Sequence, residues 1–288
     1  MFRDWTISVL DLFDWIVTNT FGIIITILTT PLDNFAPGAF ALSEQVATIL
    51  TGFGLSLLTM LWMIDFVSST ITFRVQNIEE IAKLLLLLIL GAVLVRSSFW
   101  FILSFFQALQ FVFAAVNHAG SIALDGVAAL SFSDFVSETQ DFVADLASGE
   151  AMLMLLFVVI FLLATFGAML SILLVPIAIV IELYIYSALS PIPIATLVTS
   201  QKQIGIQFLK NYASVCIRGA LVLFGMLLSQ AVLNSEVLNF PDMGEFMGID
   251  MSGFRLVFTH ILQMFINLMV MQTGIKNAEK FSRAITGG

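Results

Sequence analysis

Between Glu150 and Glu182 the chain carries no charged residue and reads AMLMLLFVVIFLLATFGAMLSILLVPIAIVI. A bilayer core of ~30 Å is crossed by about 20 apolar helical residues, so this run exceeds one perpendicular crossing. A continuous helix over 151–190 would extend roughly 60 Å at ~1.5 Å per residue. It must therefore tilt, project beyond the bilayer, or break near Pro176. The remainder has the same character: 59% of the 288 residues are hydrophobic, 11% are charged, and the mean hydropathy is +1.04. Water-soluble domains carry roughly 25% charged residues, so this chain has too little polar surface to face water on all sides. Long unbroken apolar runs do not fit the alternating strands of a membrane barrel. The expected fold class is an all-α polytopic membrane protein.

Runs suited to crossing lie at 45–66, 81–103, 151–190, 206–233 and 256–275. They predict five transmembrane helices, or six if the N-terminal segment also crosses. Lys and Arg mark cytoplasmic loops. Arg74 and Lys83 separate the first two runs, and no Lys or Arg occurs from Ser97 to Gln201. Asp125, Asp134, Glu138, Asp141, Asp145 and Glu150 accumulate in that interval. Lys202, Lys210 and Arg218 follow; residues 219–254 hold Glu236, Asp242, Glu245 and Asp250 but no cation; Lys276, Lys280 and Arg283 close the chain. This alternation predicts a start outside the cytoplasm and a cytoplasmic C-terminal tail. A rival topology makes 98–117, SFWFILSFFQALQFVFAAVN, a further span and folds 151–198 into a hairpin. It places the acidic, Lys-free loop in the cytoplasm, against the charge bias.

The chain divides into five segments. Residues 1–32 form an amphipathic, interfacial segment. Asp4, Ser8, Asp11 and Thr18 share one helical face there, and Trp5, Leu12, Phe13 and Ile16 surround it. One Arg followed by three Asp, without a small-residue cleavage site, does not read as a removable signal peptide; FGIIITILTTP offers the sixth crossing instead. Residues 33–117 form the first membrane helical pair with an outer aromatic extension. Residues 118–150 form an acidic extracytoplasmic loop. Within it Phe132, Phe135, Val136, Phe142, Val143 and Leu146 recur at helical spacing. Asp134, Glu138, Asp141 and Asp145 occupy the opposite face, and Ser131 with Asp134 suggests a capping box. This helix either lies on the membrane or the bundle, or docks an extracytoplasmic partner. Residues 151–275 form a membrane helical bundle with a proline break at 190–193, and residues 276–288 a cytoplasmic tail.

Enzymatic signatures are scarce. His118 and His260 are far apart and have no neighbouring Cys, which disfavours a transition-metal site. No phosphate-binding Gly-rich loop ending in Lys-Ser/Thr and no nucleophile elbow is present. Cys216 is the sole cysteine, so no internal disulfide can form. The net charge of −9 argues against a polybasic nucleic-acid surface. The expectation is a protein that is not an enzyme and takes no cofactor and no metal.

The informative polar groups lie along the spans. At ~100° per residue, Gln203, Gln207, Lys210, Asn211, Ser214 and Arg218 occupy about a quarter to a third of one helix circumference. Gly225 and Ser229 continue that stripe. His260, Gln263, Asn267 and Gly274 make a second stripe, and Thr48, Gly52, Ser56 and Thr59 a weaker third. Polar groups in hydrocarbon are costly unless they face protein or water. These stripes should therefore point into the bundle or towards a subunit interface, either stitching helices together or lining a hydrated passage. Glu182 and Arg218 stand out as ionisable groups within apolar spans.

The stretch ELYIYSALSPIPIATLVTSQKQIGIQFLKNY, residues 182–212, holds a deliberate break. Pro191 and Pro193 lack the backbone donor of a continuing helix and push Ser190 and Ile192 towards extended geometry. SPIP reads as a helix stop, IATLVT as irregular, and a helix restarts near Gln203. Leu189, Ser190, Pro191, Ile192 and Pro193, then Gln201–Ile204, then Phe208, Leu209 and Lys210, match a pattern of the TrbL/VirB-six-type family. That pattern is a long span ending in a proline break, then a small polar and basic stretch, then a helix of the type FLK. The chain resembles this family sharply over residues 182–230 and by hydropathy elsewhere, as a compact version without long soluble extensions.

The resemblance implies a non-enzymatic, multi-pass channel or assembly subunit of a type IV secretion or conjugation apparatus in the cytoplasmic (inner) membrane. Implied partners are further copies of the chain in a homo-oligomer, other secretion subunits including cytoplasmic ATPases and pilus-assembly proteins, the lipid membrane, and a transient DNA–protein substrate. Lys202, Lys210 and Arg218 would form a basic cytoplasmic mouth. Two other classes stay open: a small-solute transporter, and a structural scaffold for pilus or secretion assembly without a conduit.

Overall fold

A computed structural model describes residues 2–71, 78–124, 148–233 and 252–286. These form eight helices: α1 (Phe2–Thr29), α2 (Leu32–Phe35), α3 (Pro37–Ile71), α4 (Ile78–Leu124), α5 (Ser148–Leu189), α6 (Pro191–Thr196), α7 (Lys202–Leu233) and α8 (Ser252–Thr286). Helices satisfy their backbone groups internally, which hydrocarbon requires of any segment exposed to it. Four stretches are long and apolar enough to cross a membrane: Pro37–Ile71, Ile81–Ala115, Met154–Leu189 and Lys202–Leu228. The protein is an all-α protein of the polytopic membrane type. These stretches coincide with the first four runs read from the sequence, and the fifth, 256–275, lies within α8. Their outward side chains, such as Ile49, Leu86, Ile89, Phe111 and Leu163, are large, apolar and exposed, which suits lipid rather than water. The helix expected around Asp134, Glu138, Asp141 and Asp145 lies outside the described residues.

Two long helices differ from the sequence expectations. α5 is continuous over 42 residues and passes through the buried Pro176 without a break; its length is about 63 Å at ~1.5 Å per residue. The break expected as one option near Pro176 is absent, and so is the hairpin of the rival topology. A proline removes one backbone hydrogen bond locally, and the turns on either side keep theirs. α4 likewise takes the 81–103 run and the aromatic 98–117 segment into one helix of 47 residues.

The chain forms two compact units. One comprises Met1–Leu28, Phe113–Ile177 and Leu221–Ala278; the other comprises Thr29–Val112, Ala178–Ala220 and Glu279–Gly288. In the first, α5 meets α8 through Phe161 edge-on to Phe265, with centroids 6.0 Å apart and planes at 88°. Gln272 Nε2 donates to Ser171 Oγ at 2.9 Å between the same helices, so a polar pair is satisfied among apolar neighbours.

The second unit is organised around the proline break. α5 stops at Leu189 as expected, but Ser190 is right-handed helical (φ −53°, ψ −33°) rather than extended, and Pro191 opens α6. The segment after the prolines is therefore helical through Thr196, with turns only at 197–201. First-turn amides have no intrahelical acceptor, so prolines at the first and third positions forfeit nothing. The polar groups of the break are met locally. Ile194 N–H donates to Ser190 O at 3.2 Å, Ser190 Oγ to Ser187 O at 2.8 Å, and Thr196 Oγ1 to Pro193 O at 2.7 Å.

Three glycines admit this segment between the long helices. A Cβ on Gly54 of α3 would lie 2.7 Å from the Pro191 carbonyl oxygen, and one on Gly205 of α7 would lie 2.7 Å from that of Pro193. On Gly91 of α4 it would meet Val198 Cγ2 at 2.5 Å. Small residues let helix backbones approach closely, and here the backbone approached is that of the break. Gly54→Ala and Gly205→Ala are each expected to destabilise the protein by about 1–3 kcal/mol through overpacking against rigid backbone. Gly52→Ala, with no neighbouring atom within 4 Å, should be neutral or slightly stabilising. Thermal unfolding in detergent micelles checks this ordering.

Candidate functional site

The second unit gathers buried polar contacts close to where its three chain segments begin and end. Gln110 Nε2 donates to Thr30 O at 2.7 Å, and Tyr184 OH donates to Leu32 O at 2.6 Å. Both acceptors sit where α1 gives way to α2, so α4 and α5 side chains satisfy carbonyls there. Tyr212 OH, on the 2% exposed Tyr212, donates to Ile102 O at 2.7 Å. Tyr186 packs on Phe208 and Tyr212, with centroids 5.3 and 5.9 Å away. All three tyrosines of the chain thus lie in this one region.

The centre of the site is Arg218 on α7. Its Nη2 lies 2.6 Å from Glu182 Oε2 on α5, and its Nη1 lies 3.9 Å from Glu279 Oε2 on α8. Arg283 Nη2 meets Glu279 Oε1 at 2.6 Å one turn further along α8. The Arg218 side chain is 12% exposed, against 39% for Glu182 and 47% for Glu279. A guanidinium this deep is tolerated because two carboxylates compensate it. Two guanidinium and two carboxylate groups balance one another in the cluster. Neutral contact extends it: Ser214 Oγ pairs with Ser282 Oγ at 3.1 Å, and Ser282 Oγ donates to Glu279 O at 2.9 Å. The buried Nε of Arg218 has no hydrogen-bond partner among the described residues.

The sequence-predicted residues thereby separate into groups. Glu182, Ser214 and Arg218 come together with the end of α8. Gln207 Nε2 donates to Asn211 Oδ1 at 3.3 Å within α7. Lys202, Gln203, Gln207 and Lys210 are exposed, so one helix face is packed at one end and bare at the other. Lys202 stands about 24 Å along α7 from Arg218. Ser190 and Pro191 are buried and Pro193 is half-buried in the glycine cradle. Thr48, Gly52, Ser56 and Thr59 are all exposed on α3; the three hydroxyls donate to carbonyls four residues back in their own helix. The side chains of His260, Gln263 and Asn267 lie outside the described residues, although α8 carries these positions. Among the described residues no group of His, Cys, Asp and Glu could hold a metal ion.

Sequence reasoning missed Glu279, Ser282 and Arg283 as site residues, since a charged tail reads simply as solvated. It also missed Asp65, whose Oδ2 accepts the backbone N–H of Ser200 at 2.8 Å and so ties α3 to the turn before α7. A signal existed for Asp65: it is the one charged residue in the 45–66 run, and isolated ionisable groups in spans seldom lack a role. No family model, curated protein or solved structure matches the chain.

Arg218→Gln is expected to destabilise the protein by about 1–3 kcal/mol, because Glu182 then loses its cation whereas Glu279 keeps Arg283. Combining it with Glu182→Gln should recover part of that loss, giving a coupling of about 0.5–3 kcal/mol in a double-mutant cycle. Strict additivity of the two unfolding free energies would show that the pair does not interact.

Proposed function

We propose that this protein is a non-enzymatic channel or assembly subunit of a type IV secretion or conjugative DNA-transfer apparatus. The resemblance to the TrbL/VirB-six-type family over residues 182–230 supports that reading. The observation that carries it is the proline break itself. It is clamped by Gly54 and Gly205 and leads, through a short helix and a turn, into a helix whose Gln203, Gln207 and Lys210 are exposed. A rigid break feeding a bare polar helix face suits a wall between subunits or along a hydrated passage. The exposed polar stripe on α3 suits further copies of the chain in an oligomer. In this reading the acidic 118–150 segment is extracytoplasmic and the tail cytoplasmic, as the charge alternation suggests, in the inner membrane. The basic end of α7 then faces the ATPases and pilus-assembly proteins that hand over a DNA–protein substrate.

Replacing Ser190, Pro191 and Pro193 by alanine should abolish DNA transfer while expression and membrane insertion persist; normal transfer in that variant would count against the proposal. A scaffold without a conduit is the second reading, favoured by the packed half of the stripe, where Ser214 and Arg218 hold α8. The two are separated by Gln203→Cys, Gln207→Cys and Lys210→Cys. Labelling of all three by a water-soluble maleimide in assembled membranes is expected for a passage, and protection of all three for a scaffold. Cys216 is buried and does not interfere. A small-solute transporter is typically built from internal repeats, which the sequence does not show; solute flux in liposomes holding the protein alone would revive that class.

A further inference from the structure

We infer that the last turns of α8, with Lys210 of α7, form a binding face for anionic phospholipid headgroups. Ser282 is 1% exposed and turns inward, whereas Lys280, Phe281, Arg283 and Ile285 are exposed, Phe281 by 62% and Ile285 by 64%. At ~100° per residue, Lys280 and Arg283 lie about 60° apart. Phe281 and Ile285 lie about 40° apart on the flank opposite Arg283. The exposed arc therefore runs from cations to large apolar side chains. This is the composition of a helix seated at the boundary between headgroups and acyl chains.

The charge balance identifies which groups are available. Glu182 and Glu279 are the carboxylates facing this end of α7 and α8, and they are engaged by Arg218 and Arg283. Lys280 has no ion-pair partner among the described residues and is exposed. Lys210 is exposed one turn along α7 from Ser214, the residue that pairs with Ser282. This end of the two helices thus presents Lys210 and Lys280 as surplus positive charges beside apolar surface. A phosphodiester headgroup answers the lysines and its acyl chains answer Phe281 and Ile285. A nucleic acid would answer only the lysines.

The test uses the full chain in mixed micelles of phosphatidylcholine and phosphatidylglycerol, with retained lipids counted by native mass spectrometry. Each of Lys210→Gln and Lys280→Gln should weaken phosphatidylglycerol retention about five-fold, as expected for one basic residue at an anionic surface. Phosphatidylcholine retention should be unchanged. Gln203→Ala, an exposed neutral residue on α7, should behave as wild type. Unchanged phosphatidylglycerol retention in the double variant, or an equal loss with Gln203→Ala, would overturn the inference. In a second arm, a fluorophore on Phe281→Cys should be quenched by lipids brominated in their acyl chains. Absence of quenching, or a cross-link from that position to a second copy, would show that protein covers the face and would equally overturn it.

Discussion

Wherever a helix is interrupted in apolar surroundings, its freed backbone groups need partners, and the second unit depends on how this chain supplies them. Besides the single residue Ala36 between α2 and α3, whose amide meets Leu32 O at 3.5 Å, three interruptions occur there among the described residues, and each has its own answer. Between α1 and α2, Gln110 and Tyr184 reach over from α4 and α5 to the Thr30 and Leu32 carbonyls. Between α5 and α6, the chain stays helical at Ser190, and hydroxyls of Ser190 and Thr196 bond nearby carbonyls. Between α6 and α7, Asp65 takes the Ser200 amide, and Thr199 Oγ1 accepts the Gln201 amide at 3.3 Å. A buried unsatisfied amide or carbonyl costs about 1–3 kcal/mol, so these few side chains decide whether the interruptions are stable features or defects.

The ion-pair cluster answers a harder version of the same problem. The guanidinium of Arg218 is mostly withdrawn from solvent, so it requires anions, and they come from two other helices. That requirement links α5, α7 and the end of α8 through groups that no hydrophobic contact could replace without changing partners. Such a cluster adds less to stability than its short distances suggest, because desolvation offsets much of the attraction. Its consequence is positional. The end of α8 is held in one register against α7, with Ser214 opposite Ser282, and this settles which side chains of the last turns remain outside.

Legibility in the sequence varied by element. The spans were plain because a run of apolar residues can be satisfied only one way in a bilayer. The stop at Leu189 and the restart near Gln203 were plain because proline chemistry acts on adjacent residues. The conformation between them, extended and irregular on proline preferences alone, is instead largely helical, since a proline in a first helical turn disrupts nothing. The polar stripe on α7 was visible from its spacing, and so was the presence of Glu182 and Arg218. Their pairing was not, nor were the contributions of Glu279 and Asp65, because helical periodicity says which residues share a face and not which neighbour that face meets.

By itself the sequence determined the fold class, the positions of the long apolar helices and the site of the proline break. These follow from hydropathy and from backbone hydrogen bonding, which act within a turn or two of each residue. Only the tertiary structure decided that Arg218 closes on Glu182 and Glu279, that Gly54 and Gly205 on two different helices admit the break, and that one polar face is packed at Ser214 and bare at Gln203. Those outcomes depend on burial, which removes the solvent that would otherwise satisfy each group and leaves only residues distant in the chain to do so.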